Sequence, residues 1–453
     1  MGKTLLSVGL DVGTTSTQMI LSKLTVENRA SAFTVPQMEI TDREILYSSP
    51  VHFTPLASHN LVDGAALREL IGREYEQAGI TRDRVDTGAV IVTGETSRKE
   101  NAQTVLQELS DFAGEFVVAT AGPDLESVLA ARGAGAYERS QGKRVLHMDI
   151  GGGTSNLCLL EDGKVLATGC LNIGGRLLKF DENGTITYRS PVLEGITPLK
   201  IGDIPTAELL WELAQALTSA LEMAAGLRQE TDILCKLITK ETGKRWQIPQ
   251  NVIPSFSGGV ADCIAKDYED LRFGDFGPVL GRAIGKSRLC QGEYFLGQET
   301  IRATVIGAGC HSVQLSGSTV FHQNIRFPLK NIPVAAMKNP ETPEEVKLAL
   351  AQQEADAPIL AIPGFPVPSY GQVRELAKVL AEGFGERPVR VCLQYDMAKA
   401  LGQALRLHLG SHRPCLCMDG IVLDGDTYLD VGEPVGAALP VVIKTLILSG
   451  GKS

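Results

Sequence analysis

Two short stretches of the sequence, GLDVGTTST at residues 9–17 and MDIGGGTSN at residues 148–156, share one pattern. In each, an apolar strand ends in an aspartate, Asp11 or Asp149, and glycine and hydroxyl residues follow before a second strand. Glycine lets the backbone approach a phosphate and expose N–H donors to it, and nearby hydroxyls add contacts. An aspartate repels phosphate, but it can hold a hydrated Mg²⁺ that bridges to phosphate oxygens. Two such turns facing each other predict a nucleotide site.

Either turn alone could be a tight hairpin that binds nothing. Asp149 follows Asp11 by 138 residues, and the recurrence of the pattern at two strand ends favours the phosphate-binding interpretation. The residues expected to contact phosphate are Gly13, Thr14, Thr15 and Ser16 in the first turn and Gly151, Gly152, Gly153 and Thr154 in the second.

A third glycine-containing element, Ser257, Gly258, Gly259 and Val260, follows the apolar residues 252–254. An apolar strand that ends in Gly-Gly before a helical stretch lets the main chain pack against a flat ring such as adenine. The start of the helix supplies further N–H donors. Coming after the other two turns, this element completes the prediction of an ATP or ADP site with Mg²⁺ at Asp11 and Asp149.

The composition restricts the kind of protein and its partners. The chain has 453 residues, enough for roughly two to four domains. Its formal net charge of −10 argues against nucleic acid as a partner, because nonspecific binding there needs a positive surface. The longest apolar stretch, 435–448, is interrupted by Pro440 and Lys444, so no membrane insertion is expected. Nine scattered cysteines without zinc-like spacing indicate a reduced, cytoplasmic protein.

Strand-like and helix-like segments alternate along the chain, which predicts α/β domains. Strands are expected at 5–10, 18–22, 89–93, 145–150, 157–160 and 165–167, with a hairpin turn at Asp162 and Gly163. Leucine spacing predicts a long helix over 208–238. The last third predicts its own α/β unit, with strands at 359–362, 389–393 and 415–418 and helices at 372–382 and 396–409.

Two buried-looking features are interpreted as structural. His147 lies inside an apolar strand and is expected to be a core histidine with satisfied hydrogen bonds. Cys415 and Cys417 alternate along a strand, which places both thiols on one face as buried, unreactive groups.

The order of the three turns resembles the actin-like ATPase superfamily of actin, sugar kinases and heat-shock chaperone ATPases. The resemblance implies two ribonuclease-H-like halves that close on Mg-ATP, with residues 9–17 as phosphate-1, 149–155 as phosphate-2 and 257–260 as the adenosine loop. It implies a first half at 1–138 with an insert at about 34–80, a second half at 143–320, and an additional C-terminal α/β segment at 321–453. Residues 124–133 resemble the first connecting helix, and 305–309 would belong to the second.

An acidic residue at the start of the first connecting helix helps to place the attacking water in the chaperone branch of that superfamily. Asp124 and Glu126 are the candidates that the resemblance gives here. Either residue could instead be an ordinary helix N-cap, and capping is the favoured interpretation.

A closer resemblance covers nearly the whole chain. Residues 93–102, 121–129, 302–309 and 419–444 are similar to the ethanolamine ammonia-lyase reactivating factors. That family implies an ATP-dependent chaperone that opens the lyase so that intact adenosylcobalamin replaces damaged cofactor, with ethanolamine ammonia-lyase as the partner and cobalamin contacted indirectly. It implies a cytoplasmic setting associated with a bacterial microcompartment.

Two other functions fit the same fold, because the fold alone does not decide the activity. A small-molecule kinase needs an acceptor placed in the same cleft, and no distinct acceptor motif separates the phosphate turns. A polymerising cytoskeletal protein is the other alternative. Residues 34–80 and 359–444 are candidate surfaces for the lyase, or ordinary elaborations of the fold.

Overall fold

The computed structural model describes residues 3–13, 16–28, 38–58, 61–92, 109, 117–120, 123–243, 246–297, 300–311, 313–317, 319–352, 357–423 and 427–445. The whole segment 93–102, one of those that carry the family resemblance, lies outside these residues, as do Thr14 and Thr15. No helix among the described residues is both long enough and apolar enough to cross a bilayer.

The strands in chain order are β1 Lys3–Val12, β2 Ser16–Asn28, β3 Met38–Ser48, β4 His52–Phe53, β5 Leu56–Ser58, β6 Leu61–Val62, β7 Thr87–Val92, β8 Val117–Thr120, β9 Arg144–Ile150, β10 Ser155–Glu161, β11 Lys164–Leu171, β12 Leu178–Phe180, β13 Ile186–Arg189, β14 Ile253–Ser257, β15 Phe295–Leu296, β16 Val313–Leu315, β17 Val320–Gln323, β18 Leu329–Ala336, β19 Ile359–Ile362, β20 Val389–Leu393, β21 Cys415–Met418, β22 Thr427–Val431 and β23 Pro440–Thr445.

The α-helices are α1 Gly64–Gln77, α2 Pro123–Gly133, α3 Ala136–Arg139, α4 Ala207–Ala224, α5 Asp232–Leu237, α6 Lys240–Gly243, α7 Gly259–Ala265, α8 Gly277–Gly285, α9 Ala303–His311, α10 Pro343–Ala351, α11 Tyr370–Gly383 and α12 Ala398–Leu409. Short 3₁₀ turns lie at Arg82–Arg84, Pro191–Leu193 and Arg288–Cys290.

Two sheets repeat one topology. The first has the order β3-β2-β1-β7-β8, and the second has the order β11-β10-β9-β14-β15. In each, an antiparallel hairpin, β1–β2 or β9–β10, carries one of the aspartate turns, and a parallel strand, β7 or β14, lies beside the first strand of the hairpin. The duplicated pattern in the sequence therefore corresponds to a duplicated sheet.

The two sheets are joined by helices that cross over. Helix α2 follows the first sheet but packs on β9, β10 and β11, while α9 follows the second sheet and packs on β1, β2 and β7. The helices touch each other so closely that a Cβ on Gly133 would lie 1.9 Å from the Ala303 carbonyl oxygen, and one on Gly307 would lie 2.0 Å from that of Leu129. Only glycine fits at these two positions without moving a backbone.

The amino-acid pattern of β1 explains how its sheet is covered. Val8, Leu10 and Val12 face α1 in one apolar cluster. The alternate small residues Ser7 and Gly9 face α9, where the Ser7 hydroxyl donates to the Gly309 carbonyl at 2.5 Å. A strand with large residues on one face and small ones on the other allows one helix to approach the sheet closely.

The third sheet has the order β16-β23-β22-β18-β19-β20-β21-β17. Strands β18 to β21 are parallel and are connected by α10, α11 and α12, whose apolar residues pack against one face of the sheet together with Cys415 and Cys417. The remaining strands pair in antiparallel fashion at both ends. This confirms the C-terminal α/β unit and the shared face of the two cysteines.

Most predicted elements are confirmed, including the hairpin at Asp162 and Gly163, where φ is positive at both residues. The single helix over 208–238 is wrong. Helix α4 ends at Ala224 because Gly226 adopts a φ of +74°, with Gly226 N donating to Met223 and Leu227 N to Glu222. That pair of hydrogen bonds is a Schellman C-cap, and α5 is a separate helix. The limits of the three proposed domains stay a prediction.

Candidate nucleotide site

The two aspartate turns share a backbone hydrogen bond and a hairpin register. Gly13 N donates to the Ser16 carbonyl at 2.8 Å, and Gly151 N donates to the Thr154 carbonyl at 2.9 Å. Asp11 pairs with Gln18 and Asp149 with Asn156 in the register of the hairpins. Gly153 is exposed, while Gly13, Ser16, Gly151, Gly152 and Thr154 are partly exposed. The equivalence seen in the sequence thus extends to hydrogen bonding and register.

Asp149 is held at the end of β9 by two hydroxyl groups. Ser257 on β14 is the strand partner of Asp149 and donates to Asp149 Oδ1 at 2.5 Å. Thr304 donates to Oδ2 at 3.3 Å. Burial raises the pKa of the Asp149 carboxyl group, and the bonds from Ser257 and Thr304 oppose that shift. A carboxylate in this position can stay charged only with such donors or a nearby cation.

The predicted adenosine loop, residues 257–260, makes close backbone contact with the end of β9. Gly258 has φ +86° and ψ 172°, and a Cβ there would lie 2.3 Å from the Ile150 carbonyl oxygen. Gly259 is exposed, and a Cβ on it would meet no atom within 4 Å. The Val260 side chain is 3% exposed and lies in the core, so this residue can offer a ligand only its main chain.

The two acidic candidates on α2 lie in different surroundings. The helix begins at Pro123, ahead of both, so neither precedes it as a capping residue does. Asp124 accepts a hydrogen bond at 2.7 Å from Thr168 on β11. Glu126 has a pKa well above its usual value, because of burial first and then the charges of Asp149 and Asp11. Glu126 is therefore the acid whose pKa responds to the charges of both aspartates.

Sequence reasoning missed two amides next to these acids. Asn156 donates to Glu126, which partly opposes the rise in pKa of that carboxyl group. The carbonyl oxygens of Asn156 and of its counterpart Gln18 are buried and have no hydrogen-bond partner among the described residues. An unsatisfied buried acceptor is costly, so each oxygen is suited to accept from a bound water. The signal was present, since both amides lie seven residues after their aspartates.

The loop at residues 174–176 was also missed. Gly175 N donates to the Gly151 carbonyl at 2.9 Å, and Arg176 N donates to the Gly152 carbonyl at 2.6 Å. The stem of Arg176 covers Gly152, and its Nε lies 3.4 Å from Asp275 Oδ2. The loop supports the second turn through these two hydrogen bonds, and Arg176 adds a positive charge near it. Gly-Gly-Arg after a strand is visible in the sequence, but its contact with Gly152 is not.

The residues present suit a hydrated Mg²⁺ that is shared with phosphate. Within the described ranges, no group of three or more His, Cys, Asp or Glu residues is arranged to hold a metal ion by protein ligands alone. Mg²⁺ commonly keeps several waters and uses one or two carboxylates together with substrate phosphates. Asp11 and Asp149 offer such carboxylates, and the orphan oxygens of Gln18 and Asn156 can accept hydrogen bonds from waters.

Comparison with known proteins identifies the family. The profile described as "Ethanolamine utilisation protein EutA" matches residues 3–449. The chain belongs to the EutA family. It is 37% identical to the "Ethanolamine ammonia-lyase reactivase EutA" of Salmonella typhimurium, over 98% of each chain. It is also 37% identical to the EutA reactivase of Escherichia coli, again over 98% of each chain.

The solved structures that match part of this chain have low sequence identity and low TM-scores. A Ppx/GppA phosphatase of Aquifex aeolicus is 12% identical, with a TM-score of 0.40, and the match covers 67% of this chain and 98% of that one. The ethanolamine utilisation protein EutJ of Carboxydothermus hydrogenoformans is 17% identical, with a TM-score of 0.35, over 67% and 88%. The sheets show two halves of matching topology and an additional C-terminal α/β unit in this EutA family member, and the assignment to the actin-like ATPase fold with ribonuclease-H-like halves stays a prediction.

Proposed function

We propose that this protein is an ATP-dependent reactivating chaperone of ethanolamine ammonia-lyase, which promotes the exchange of damaged or inactive cobalamin for intact adenosylcobalamin. The full-length similarity to two reactivases supports the partner. The two matched turns, with Glu126 beside both aspartates, are the observation that carries the nucleotide-dependent part of the proposal. The lyase is the direct partner, and cobalamin is reached only through it. The proposed setting is the cytoplasm, with association to a microcompartment.

In the proposed site each half supplies one of the two phosphate-binding turns. The backbone N–H groups and hydroxyls of the first turn, Gly13 to Ser16, and of the second turn, Gly151 to Thr154, bind phosphate oxygens from two sides. Residues 257–260 give the adenosine a main-chain surface. Asp11 and Asp149 would hold Mg²⁺, which neutralises phosphate charge when it is bound.

Glu126 is the proposed base of slow ATP hydrolysis. Its raised pKa makes the Glu126 carboxylate a stronger base than an ordinary glutamate once the carboxyl group has lost its own proton. Asn156 orients Glu126, and its own free oxygen can accept from the same water. Asp124 is assigned a structural role, because its carboxylate already accepts from Thr168 and thereby ties α2 to β11.

The crossed helices suggest how the nucleotide could act on a partner. Helix α2 carries Glu126 and packs on the second half, and α9 carries Thr304, which donates to Asp149, and packs on the first half. A change at the phosphates is thereby linked to the relative position of the halves. A coupling of about 1–3 kcal/mol would bias release of a tightly held cofactor, because only differential binding is needed.

The test compares ATP binding and turnover in Asp11→Asn and Asp149→Asn with the wild type. We expect both variants to fold and to lose the Mg²⁺ dependence of ATP binding. ATP turnover should rise when ethanolamine ammonia-lyase is added and stay constant with small hydroxyl compounds. Turnover that rises only with a hydroxyl compound would replace the proposal with a kinase activity.

A further inference from the structure

A buried chain of hydrogen bonds leads to Asp149 from the interior of the second sheet. His147 lies two residues before Asp149 on β9, and Ser255 and Ser257 are their partners across the parallel strand β14. His147 Nδ1 lies 2.8 Å from Ser255 Oγ, and Nε2 lies 2.9 Å from Ser257 Oγ. Ser257 in turn lies 2.5 Å from Asp149 Oδ1. His147 and both serines are fully buried.

The chemistry of these groups fixes the direction of the chain. A carboxylate only accepts, so the single hydroxyl proton of Ser257 goes to Asp149. The Ser257 oxygen must then accept from His147, which places a proton on Nε2. Among the described residues the hydrogen-bond partners of the ring are two hydroxyls, so a neutral ring with its proton on Nε2 uses Nδ1 to accept from Ser255. His147 is thus the core histidine that the sequence predicted, with hydrogen bonds at both ring nitrogens, and it also fixes the orientation of the Ser257 hydroxyl.

The duplicated sheet provides an internal comparison. In the first half the pairs at the equivalent positions are Gly9 with Ala89 and Asp11 with Ile91. The topology therefore forms without any polar chain at these positions. Replacing both partners of a buried hydrogen bond by apolar groups of the same shape can be nearly neutral or stabilising, so packing alone does not require these polar residues. The series of hydrogen bonds from His147 to Asp149 therefore belongs to the second half and has no counterpart at the matching positions of the first.

We propose that His147 and Ser257 are positioning residues that hold Oδ1 of Asp149, so that the carboxylate keeps the orientation in which Oδ2, which also accepts from Thr304, is available to the Mg²⁺ and nucleotide site. The inference rests on the proposed function, because it requires Asp149 to serve Mg²⁺-dependent nucleotide binding. Asp11, which lacks this device, is oriented by other contacts. The two aspartates therefore have unequal roles despite their matched turns.

The test measures ATP binding by calorimetry at a series of Mg²⁺ concentrations. Ser257→Ala and His147→Met should each raise the Mg²⁺ concentration for half-maximal binding by roughly 10- to 100-fold, as expected when the group that orients a metal ligand is removed. His147→Gln should recover most of the loss, since its amide N–H can replace Nε2–H. Ser255→Ala is the matched control, because it is equally buried and bonded to His147 but lies one step further from Asp149. Its shift should stay within about twofold.

Thermal unfolding without nucleotide separates positioning from packing. If all four variants lose similar stability while the Mg²⁺ requirement of each stays at the wild-type value, His147 and Ser257 are only core residues and the inference is overturned. Ser257→Ala removes a single oxygen atom, so it gives the answer even if His147→Met does not fold. Asp149→Asn separates failure of the positioning role from failure of the proposed function. If it raises the Mg²⁺ requirement while Ser257→Ala does not, the positioning role fails and the proposed function stands. If Asp149→Asn has no effect, the proposed site is wrong and the positioning role falls with it.

Discussion

The substitution Gly258→Ala places a methyl group where the adenosine loop meets the end of β9. The added Cβ would lie 2.3 Å from the Ile150 carbonyl oxygen and 2.8 Å from the Ile150 nitrogen, and these backbone atoms can move only with the strand. The backbone at φ +86° and ψ 172° is a region that only glycine adopts readily, and occupying it costs about 1–3 kcal/mol. Overpacking adds about 1–3 kcal/mol. The free energy of unfolding should therefore fall by about 2–6 kcal/mol.

Thermal unfolding with and without Mg-ATP is the assay for Gly258→Ala. At about 2–4 °C per kcal/mol, Tm should fall by at least about 4 °C, and Mg-ATP should restore less stability than it gives the wild type, because the displaced strand carries Asp149. Gly259→Ala is the matched control, since its Cβ meets no atom within 4 Å. Its Tm without nucleotide should be unchanged. Equal Tm values of the two variants without nucleotide would refute the close contact of Gly258 with Ile150.

Three further predictions concern the connecting helices and their acids. Gly307→Ala should lower Tm by several degrees, because its Cβ would lie 2.0 Å from the Leu129 carbonyl oxygen. Gly285→Ala is the control and should leave Tm unchanged, because the nearest atom to its Cβ lies 3.5 Å away. Equal Tm values of the two variants would contradict the close crossing of α2 and α9. Glu126→Gln should lower ATP turnover by roughly 100-fold with little change in ATP affinity. Asp124→Asn should leave turnover nearly unchanged, and the opposite ranking in a steady-state assay would exchange the two roles. Burial raises the folded-state pKa of Glu126, so the native state binds the proton more tightly than the unfolded state does, and the free energy of unfolding should fall as pH rises from near 4.5 toward that raised pKa. Urea unfolding across this pH range should show a smaller fall for Glu126→Gln than for the wild type. Identical pH profiles of the two proteins would show that the pKa of Glu126 is not perturbed.

Local signals in the sequence were sufficient for the turns. An aspartate followed by glycines and hydroxyls specifies a hairpin within a few residues, and the repetition at Asp11 and Asp149 predicted two related turns, which the structure places in sheets of the same topology. The strands of the C-terminal unit were also predictable, because continuous apolar runs between helices are typical of parallel strands. The helix over 208–238 failed for a local reason too, since the apolar spacing continues past Gly226 and conceals the C-cap.

Contacts between distant parts of the chain were not predictable from one sequence. His147 could be assigned to the core, but its hydrogen bonds to Ser255 and Ser257 depend on the pairing of β9 with β14, more than 100 residues apart. The contact of Arg176 with the second turn and the antiparallel strands at both ends of the third sheet depend on tertiary packing in the same way. The choice between Asp124 and Glu126 needed the position of Thr168.

Reactivation of the lyase tests the central proposal most directly. Ethanolamine ammonia-lyase blocked with cyanocobalamin is incubated with this protein, Mg²⁺ and adenosylcobalamin, with or without ATP, and recovered lyase activity is measured. The account predicts recovery with ATP, none without it, and none with Asp149→Asn. Recovery that is equal without ATP or with Asp149→Asn, or no recovery of a lyase preparation that another reactivase restores, would contradict it.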